Sequence, residues 1–186
     1  GQICVAPNRV FVSEKVVKTF TEKVVTRAKA CKVGFDKFGE ISTGPVIDKR
    51  AFDRITKLID EAVADGATLL IGGDRPSNLR KGFFISPTVL TDVTEKMQVY
   101  RQETFGPIIS IVSFAEEDKL ADMANDCEQG GLTAYIFTRN QSLADHYSSL
   151  LRYGEIQING VKYDIDLPHG CCLLYTSPSP RDYTRS

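Results

Sequence analysis

RQETFGPIISIVSF, residues 101–114, decides the fold. Its second half, PIISIVSF, leaves a Gly106-Pro107 turn and continues as an apolar run rich in Ile and Val. A strand with one wet face alternates apolar and polar residues, whereas a nearly continuous apolar run belongs to a strand covered on both faces. Working outward, GFFISPTVL (82–90) is a second extended run, and Pro87 confines it to a sheet edge or a strand end. ATLLIGG (67–73) reads as a buried strand ending in a turn. Before it lies an amphipathic helix with Asp48 as its cap, Phe52, Ile55, Leu58, Ile59, Ala62 and Val63 on one face, and Asp65-Gly66 as its stop. The three glycines and one proline of 32–45 make a loop.

Both ends of the chain keep the same rhythm. Val10 to Val12 reads as a strand, Ser13 as an N-cap, and Val16, Val17, Phe20, Val24, Val25 and Ala28 as one helix face. Beyond the central run come a short helix over 116–125, a strand over 132–138, a helix capped by Asn140 and stopped by Gly154, and a strand at EIQIN (155–159). Strands alternating with helices predict an α/β fold, a mostly parallel twisted sheet flanked by helices.

The 186 residues are 42% hydrophobic and 25% charged with a net charge of −1. That composition builds a core and offers no basic field for nucleic acid. No apolar stretch approaches membrane-span length, so neither nucleic acid nor membrane is expected as a partner. The five cysteines (Cys4, Cys31, Cys127, Cys171, Cys172) follow no zinc spacing, and the histidines, His146 and His169, are far apart. No metal is therefore expected, and the thiol usage predicts a reducing, cytoplasmic setting.

Two places can carry chemistry. Cys4 follows Gly1-Gln2 and precedes Ala6-Pro7-Asn8, so its thiol sits in a tight turn before a strand. A lone cysteine is more often a small buried hydrophobe. In a turn, surrounding N–H groups can instead lower its pKa and hold an oxyanion. Glu103 stands two residues before Phe105 at the mouth of the apolar run. A carboxylate there can accept two ribose hydroxyls and an aromatic can pack on a flat ring; an exposed Glu beside a core Phe is the plainer reading.

Taken together, GQIC (1–4) and ETFGP (103–107) resemble the NAD(P)-dependent aldehyde dehydrogenase superfamily. NRVFV (8–12), GPVIDKRAFDRI (44–55), GGD (72–74), GFFISPTVLTDV (82–93), GLTAYIFTRN (131–140) and YGEIQING (153–160) resemble that family's segments in order, and LPHG (167–170) resembles the opening of its PxGGxKxSG stretch. The resemblance implies the aldehyde dehydrogenase catalytic-domain fold and assigns roles. Cys4 becomes the nucleophile that forms a thiohemiacetal and then a thioester. Glu103 becomes the carboxylate on the nicotinamide ribose and Phe105 the ring beside the nicotinamide, so the expected cofactor is NAD or NADP. Ile3 and Val5 are expected to line the substrate tunnel.

Arg54 falls where many family members carry a lysine, and neither it nor Ala51 is assigned to the site. Asn159, Cys31, Cys127, Asn125 and Gly131 are read as structural. The implied substrate is a small hydroxy-aldehyde or semialdehyde, such as lactaldehyde or succinate semialdehyde, and the implied assembly a homodimer or homotetramer.

The family's Gly-rich cofactor segment, general-base glutamate and oxyanion-hole asparagine match nothing in the sequence. Residues 1–170 are therefore expected to be a partial catalytic domain, truncated at both ends and inactive alone. From Cys172 the text CLLYTSPSPRD (172–182) resembles the translation of a sequencing adapter, so residues 171–186 are expected to be a non-native tail. Two alternatives stand beside the oxidising enzyme: a CoA-acylating aldehyde dehydrogenase, and a non-catalytic folded or oligomerisation module with an inert Cys4.

Overall fold

The computed structural model describes residues 1–36, 39–115, 117–126 and 131–161. Cys127, His169, the LPHG motif, Cys171, Cys172 and the 171–186 tail lie outside the described residues. The chain divides into two compact units, Gly1–Glu117 and Asp118–Ser186.

The first unit runs β1 (Val10–Ser13), α1 (Val17–Ala30), α2 (Lys49–Ala64), β2 (Thr68–Ile71), β3 (Thr88–Thr91), α3 (Gln98–Arg101), β4 (Ile108–Phe114). The sheet order is β1-β4-β3-β2. β4 pairs in parallel with β1, Val10 opposite Ile111, and in parallel with β3, Thr88 opposite Ile108. The apolar run that decides the fold is thus an interior strand, with Ile108, Ile111 and Val112 buried. Val12, Val89 and Ile111 meet Ala28 of α1, and Phe20, Val24 and Val25 of α1 pack around them. The alternate residues point to the other face, where Phe11 meets Tyr100 of α3 edge to face at 6.2 Å. Both faces are covered, which is what the unbroken apolar run requires.

Two expectations are corrected here. ATLLIGG was expected to be a buried strand; β2 is instead an antiparallel edge strand, with Leu69 and Leu70 each 39% exposed. Its apolar run covers only half of a surface, because β3 is its sole partner among the described residues. Ser13 was expected to cap α1; it instead ends β1, where it pairs with Phe114, and Val16 holds the cap position without a side-chain bond. Strand pairing of Ser13 outweighs the local capping preference of its hydroxyl.

Asp48 does cap α2, its Oδ1 accepting from Ala51 N–H at 2.8 Å. Ile55, Leu58, Ile59 and Ala62 form the buried face, and Gly66 leaves the helix at φ +106°. Pro87 precedes β3 directly, a strand end as read. Gly72, at φ +80°, lies so close to the Pro87 carbonyl that a side chain would collide with it.

A 3₁₀ turn (Glu117–Lys119) spans the boundary, and the second unit carries α4 (Leu120–Asn125), β5 (Thr133–Ile136), α5 (Gln141–Leu150) and β6 (Glu155–Ile158). β5 and β6 are parallel, Thr133 opposite Glu155. Asn140 caps α5 by accepting from Leu143 N–H at 3.2 Å. Gly154 does not stop α5, which ends at Leu150; its N–H donates to Gly131 at 2.8 Å and leads into β6. Asn159, at φ +52°, pins the end of β5 by bonding both the N–H and the carbonyl of Thr138, a structural role as read. Asn125 reaches past its own turn to bond Leu150 O and Arg152 N–H. Among the described residues no helix is long and apolar enough to cross a membrane.

Candidate functional site

Cys4 lies in a turn closed by the Ala6 N–H donating to Ile3 O at 2.9 Å, and its thiol side chain is exposed. The turn is anchored from one side by Gln2. That side-chain amide donates to Pro45 O at 3.1 Å and accepts from Ile47 N–H at 2.9 Å, tying the turn to the segment that enters α2. From another side Gly1 packs on the backbone of Gly106 so closely that a Cβ on Gly1 would overlap the Gly106 carbonyl. Gly106 in turn has no room for a side chain, because a Cβ there would stand 2.5 Å from Ile55 Cδ1 of α2.

Glu103 and Phe105 lie on the segment between α3 and β4. Its ends bond to α3 (Gln102 N–H to Gln98 O) and to β3 (Thr88 N–H to Pro107 O), and two side chains hold the middle. Asn8, four residues after Cys4, donates to Gln102 O at 2.9 Å and accepts from Thr104 N–H at 2.8 Å. Arg54, from α2, donates to Glu103 O at 3.1 Å and to Thr104 O at 2.7 Å. Thr104 is buried and Glu103 is exposed. Phe105 adopts φ +42°, a left-handed conformation that costs a non-glycine residue about 1 kcal/mol, and its side chain is 39% exposed. The bonds to the preceding two peptides hold it there. Next to Asn8, the Arg9 guanidinium lies 4.7 Å from the Tyr100 ring centroid and 5.5 Å from that of Phe11, fixing the turn to the sheet.

The structure therefore brings the three expected residues onto two segments that touch. The bonding residues Asn8 and Arg54 were not read as functional. For Arg54 the sequence signal was a cation one turn into α2, and nothing in it points to a carbonyl 50 residues away. Ile3 is 54% exposed and Ile47 82%, so with Phe105 the junction carries an apolar rim. Cys31 is half-buried, its Sγ 3.5 Å from Arg27 O, a packing thiol as read. Two surface grooves lie elsewhere, one at Phe137, Arg139 and Asn159, the other at Cys31, Ile41, Gly72 and Asn78. Cys4, Glu103 and Phe105 line neither groove.

Asp48, next in sequence to the Ile47 that bonds Gln2, caps α2. The Ala51 N–H bonded to its carboxylate, helped by the Arg50 guanidinium, holds its pKa below the ordinary 3.8. The chemistry of the donor set fits one end of a dinucleotide. An exposed carboxylate suits vicinal hydroxyls, and a half-exposed ring locked in place suits a flat heterocycle. Among the described residues no glycine-rich turn opens a helix in the manner of a diphosphate cradle, so the fit extends to the ribose–nicotinamide end alone.

Comparison with known proteins identifies the family and the fold. The profile of the aldehyde dehydrogenase family matches residues 1–172. A chloroplastic betaine aldehyde dehydrogenase of Beta vulgaris is 39% identical over 160 residues, covering 86% of this chain and 32% of that protein. The crystal structure of succinate-semialdehyde dehydrogenase from Burkholderia pseudomallei superposes with a TM-score of 0.86 at 37% identity, over 92% of this chain and 35% of that one. Betaine aldehyde dehydrogenase from Staphylococcus aureus in complex with NAD+ superposes at 0.84 and 32% identity, over 91% of this chain and 34% of that one. The chain thus spans about a third of the length of the relatives it matches.

Proposed function

The chain belongs to the aldehyde dehydrogenase family, and from that premise we propose that residues 1–170 are part of the catalytic domain of an NAD(P)-dependent enzyme oxidising an aldehyde to a carboxylic acid. In this reading Cys4 is the nucleophile, and Glu103 and Phe105 hold the cofactor. The observation that carries the proposal is the junction of an exposed cysteine turn with a bonded segment that presents a carboxylate and a ring.

The chemistry asked of Cys4 follows from sulfur. Its thiolate adds to the aldehyde carbon, and the carbonyl oxygen becomes an oxyanion for which the Cys4 backbone N–H is the candidate donor. A nicotinamide cofactor, when bound, supplies the acceptor for the hydride that leaves this carbon. The carbon is then a thioester on Cys4, and water displaces the thiolate to release the acid. Glu103 accepts ribose hydroxyls and Phe105 limits the heterocycle's motion; both orient and neither transfers a proton. The general base for water lies outside this chain's assignments, which supports reading the chain alone as inactive.

We take the substrate to be a small aldehyde with a polar far end. The names of the relatives (betaine aldehyde, succinate semialdehyde) support that class, and succinate semialdehyde also stood among the sequence-based candidates, with lactaldehyde. A homodimer or homotetramer, a cytoplasmic setting and an adapter origin for residues 171–186 complete the reading.

The test uses the whole enzyme carrying this segment. Cys4→Ala should abolish turnover of every aldehyde in a panel of those three while leaving cofactor binding within about twofold, because removing a nucleophile removes the covalent route. Retained turnover overturns the assignment. Acyl-CoA in place of free acid, when CoA is supplied, selects the acylating alternative; slow, unselective alkylation of Cys4 in an inactive protein selects the non-catalytic module.

A further inference from the structure

The side chains of Asn8 and Arg54 reach the main chain of Gln102, Glu103 and Thr104 from outside their segment. One lies on the Cys4 loop and the other on α2. The Arg54 fork uses both terminal nitrogens on these carbonyls, at 3.1 and 2.7 Å. Its charge is therefore directed at the peptide that carries Glu103. The Asn8 amide uses both its donor and its acceptor on the same segment, at 2.9 and 2.8 Å. Asn8 thereby joins the nucleophile's own loop to this segment.

We propose that Asn8 and Arg54 are positioning residues: together they clamp the three consecutive peptides between Gln102 and Phe105, so that Glu103 and Phe105 are held in register with the Cys4 turn. The proposal rests on the assignment of Cys4, Glu103 and Phe105 above. Arg54 fixes the conformation of the segment, and Asn8 fixes its place relative to the thiol. A planar fork bonds two adjacent carbonyls at once, whereas an ammonium is a point charge that can serve them only in turn. The residue at position 54 thus grades the rigidity of the cofactor-facing segment without touching the cofactor. Asn8 and Arg54 meet on the Glu103–Thr104 peptide, one bonding its N–H and the other its carbonyl, so losing either loosens it.

The test compares Asn8→Ala, Asn8→Asp, Arg54→Met, Arg54→Lys and the Asn8→Ala/Arg54→Met double variant in the whole enzyme. NAD+ and NADP+ affinity is read by equilibrium dialysis, Cys4 alkylation by iodoacetamide without cofactor, and turnover with aldehyde and its C1-deuterated form. Arg54→Met should weaken cofactor binding about tenfold, as small misplacements at a reacting pair do, with Arg54→Lys intermediate. Asn8→Ala should unmask or enlarge a deuterium isotope effect, because hydride transfer slows when ring and thiol lose register. Asn8→Asp, which keeps the acceptor for Thr104 N–H, should fall between it and the parent. The double variant should be no worse than about the weaker single, the non-additivity of residues acting as one unit. Cys4 alkylation should stay within about twofold throughout, which separates loss of position from loss of fold.

Unchanged affinity and isotope effect in both single variants overturn the clamp, as does a double variant whose losses simply multiply. A loss of affinity matched by a change in alkylation also overturns it, since that is general loosening. If the clamp variants fail while Cys4→Ala abolishes turnover, the nucleophile reading stands and only the clamp falls. If Cys4→Ala keeps turnover while the clamp variants weaken cofactor binding, the nucleophile reading falls and the clamp stands.

Discussion

Cys4 shows how little a single residue says by itself and how much its neighbours add. The thiol is exposed in a closed turn, not packed in the core, so the small-hydrophobe alternative open at the residue level does not describe its surroundings. Glu103 and Phe105 became candidates through the resemblance of ETFGP, together with GQIC, to a family pattern, since their spacing alone favoured the plainer reading. Asn8 and Arg54 were not legible, because their partners are backbone atoms 94 to 96 and 49 to 50 residues away, and a backbone carbonyl has no signature in sequence. A first prediction belongs here. Glu103→Gln keeps an acceptor but removes the charge; a hydrogen bond to a charged group contributes roughly 1.5–3 kcal/mol, so cofactor affinity should fall roughly tenfold to a hundredfold. Cofactor titration of the whole enzyme measures this, and an unchanged affinity removes Glu103 from the site.

At the scale of elements, the signals that survived are those whose physics is local and whose partners are in the same element. Asp48 and Asn140 both cap the helices they were read to cap, because an N-cap bond closes within three residues. Ser13 failed as a cap and Gly154 as a helix stop because pairing with distant segments, Phe114 and Gly131, claimed them. The cap of α2 also makes a pH prediction. The Asp48 pKa is held below its ordinary 3.8, so its charged form stabilises the folded chain. That contribution is fully present above the ordinary value and is lost as pH falls through the lower, folded value. Asn is an equally good cap that does not titrate. The parent should therefore have the higher melting temperature at neutral pH, and the gap to Asp48→Asn should close on acidification below 3.8. Thermal melts across pH test it; a gap that widens in acid reverses the sign and the cause. Because the carboxylate is largely in water, the gap should be small.

For the whole molecule, the mostly parallel sheet was legible because β4 is covered on both faces, and only a covered strand can stay apolar along its length. The same rule misled for β2, whose run TLLI is equally apolar but whose strand has β3 on one side only among the described residues. Apolar text reports the wish to be buried, and whether a partner meets it depends on surfaces the text does not contain. Two surfaces of the first unit carry such unmet demand: the rim of Ile3, Ile47 and Phe105, and the edge strand with Leu69 and Leu70. They predict different behaviour. An apolar rim is satisfied by any complementary surface, whereas an open strand edge also offers a row of unpaired N–H and carbonyl groups that templates pairing with another strand. The 186-residue chain studied by itself should therefore self-associate with rising concentration. A charge in the middle of β2, Leu70→Lys, should suppress that association strongly, as lysine does on natural sheet edges. Sedimentation velocity over a concentration series decides between the two surfaces. A concentration dependence abolished by Leu70→Lys assigns it to the edge of β2. One untouched by Leu70→Lys but reduced by Ile47→Lys assigns it to the rim beside Cys4.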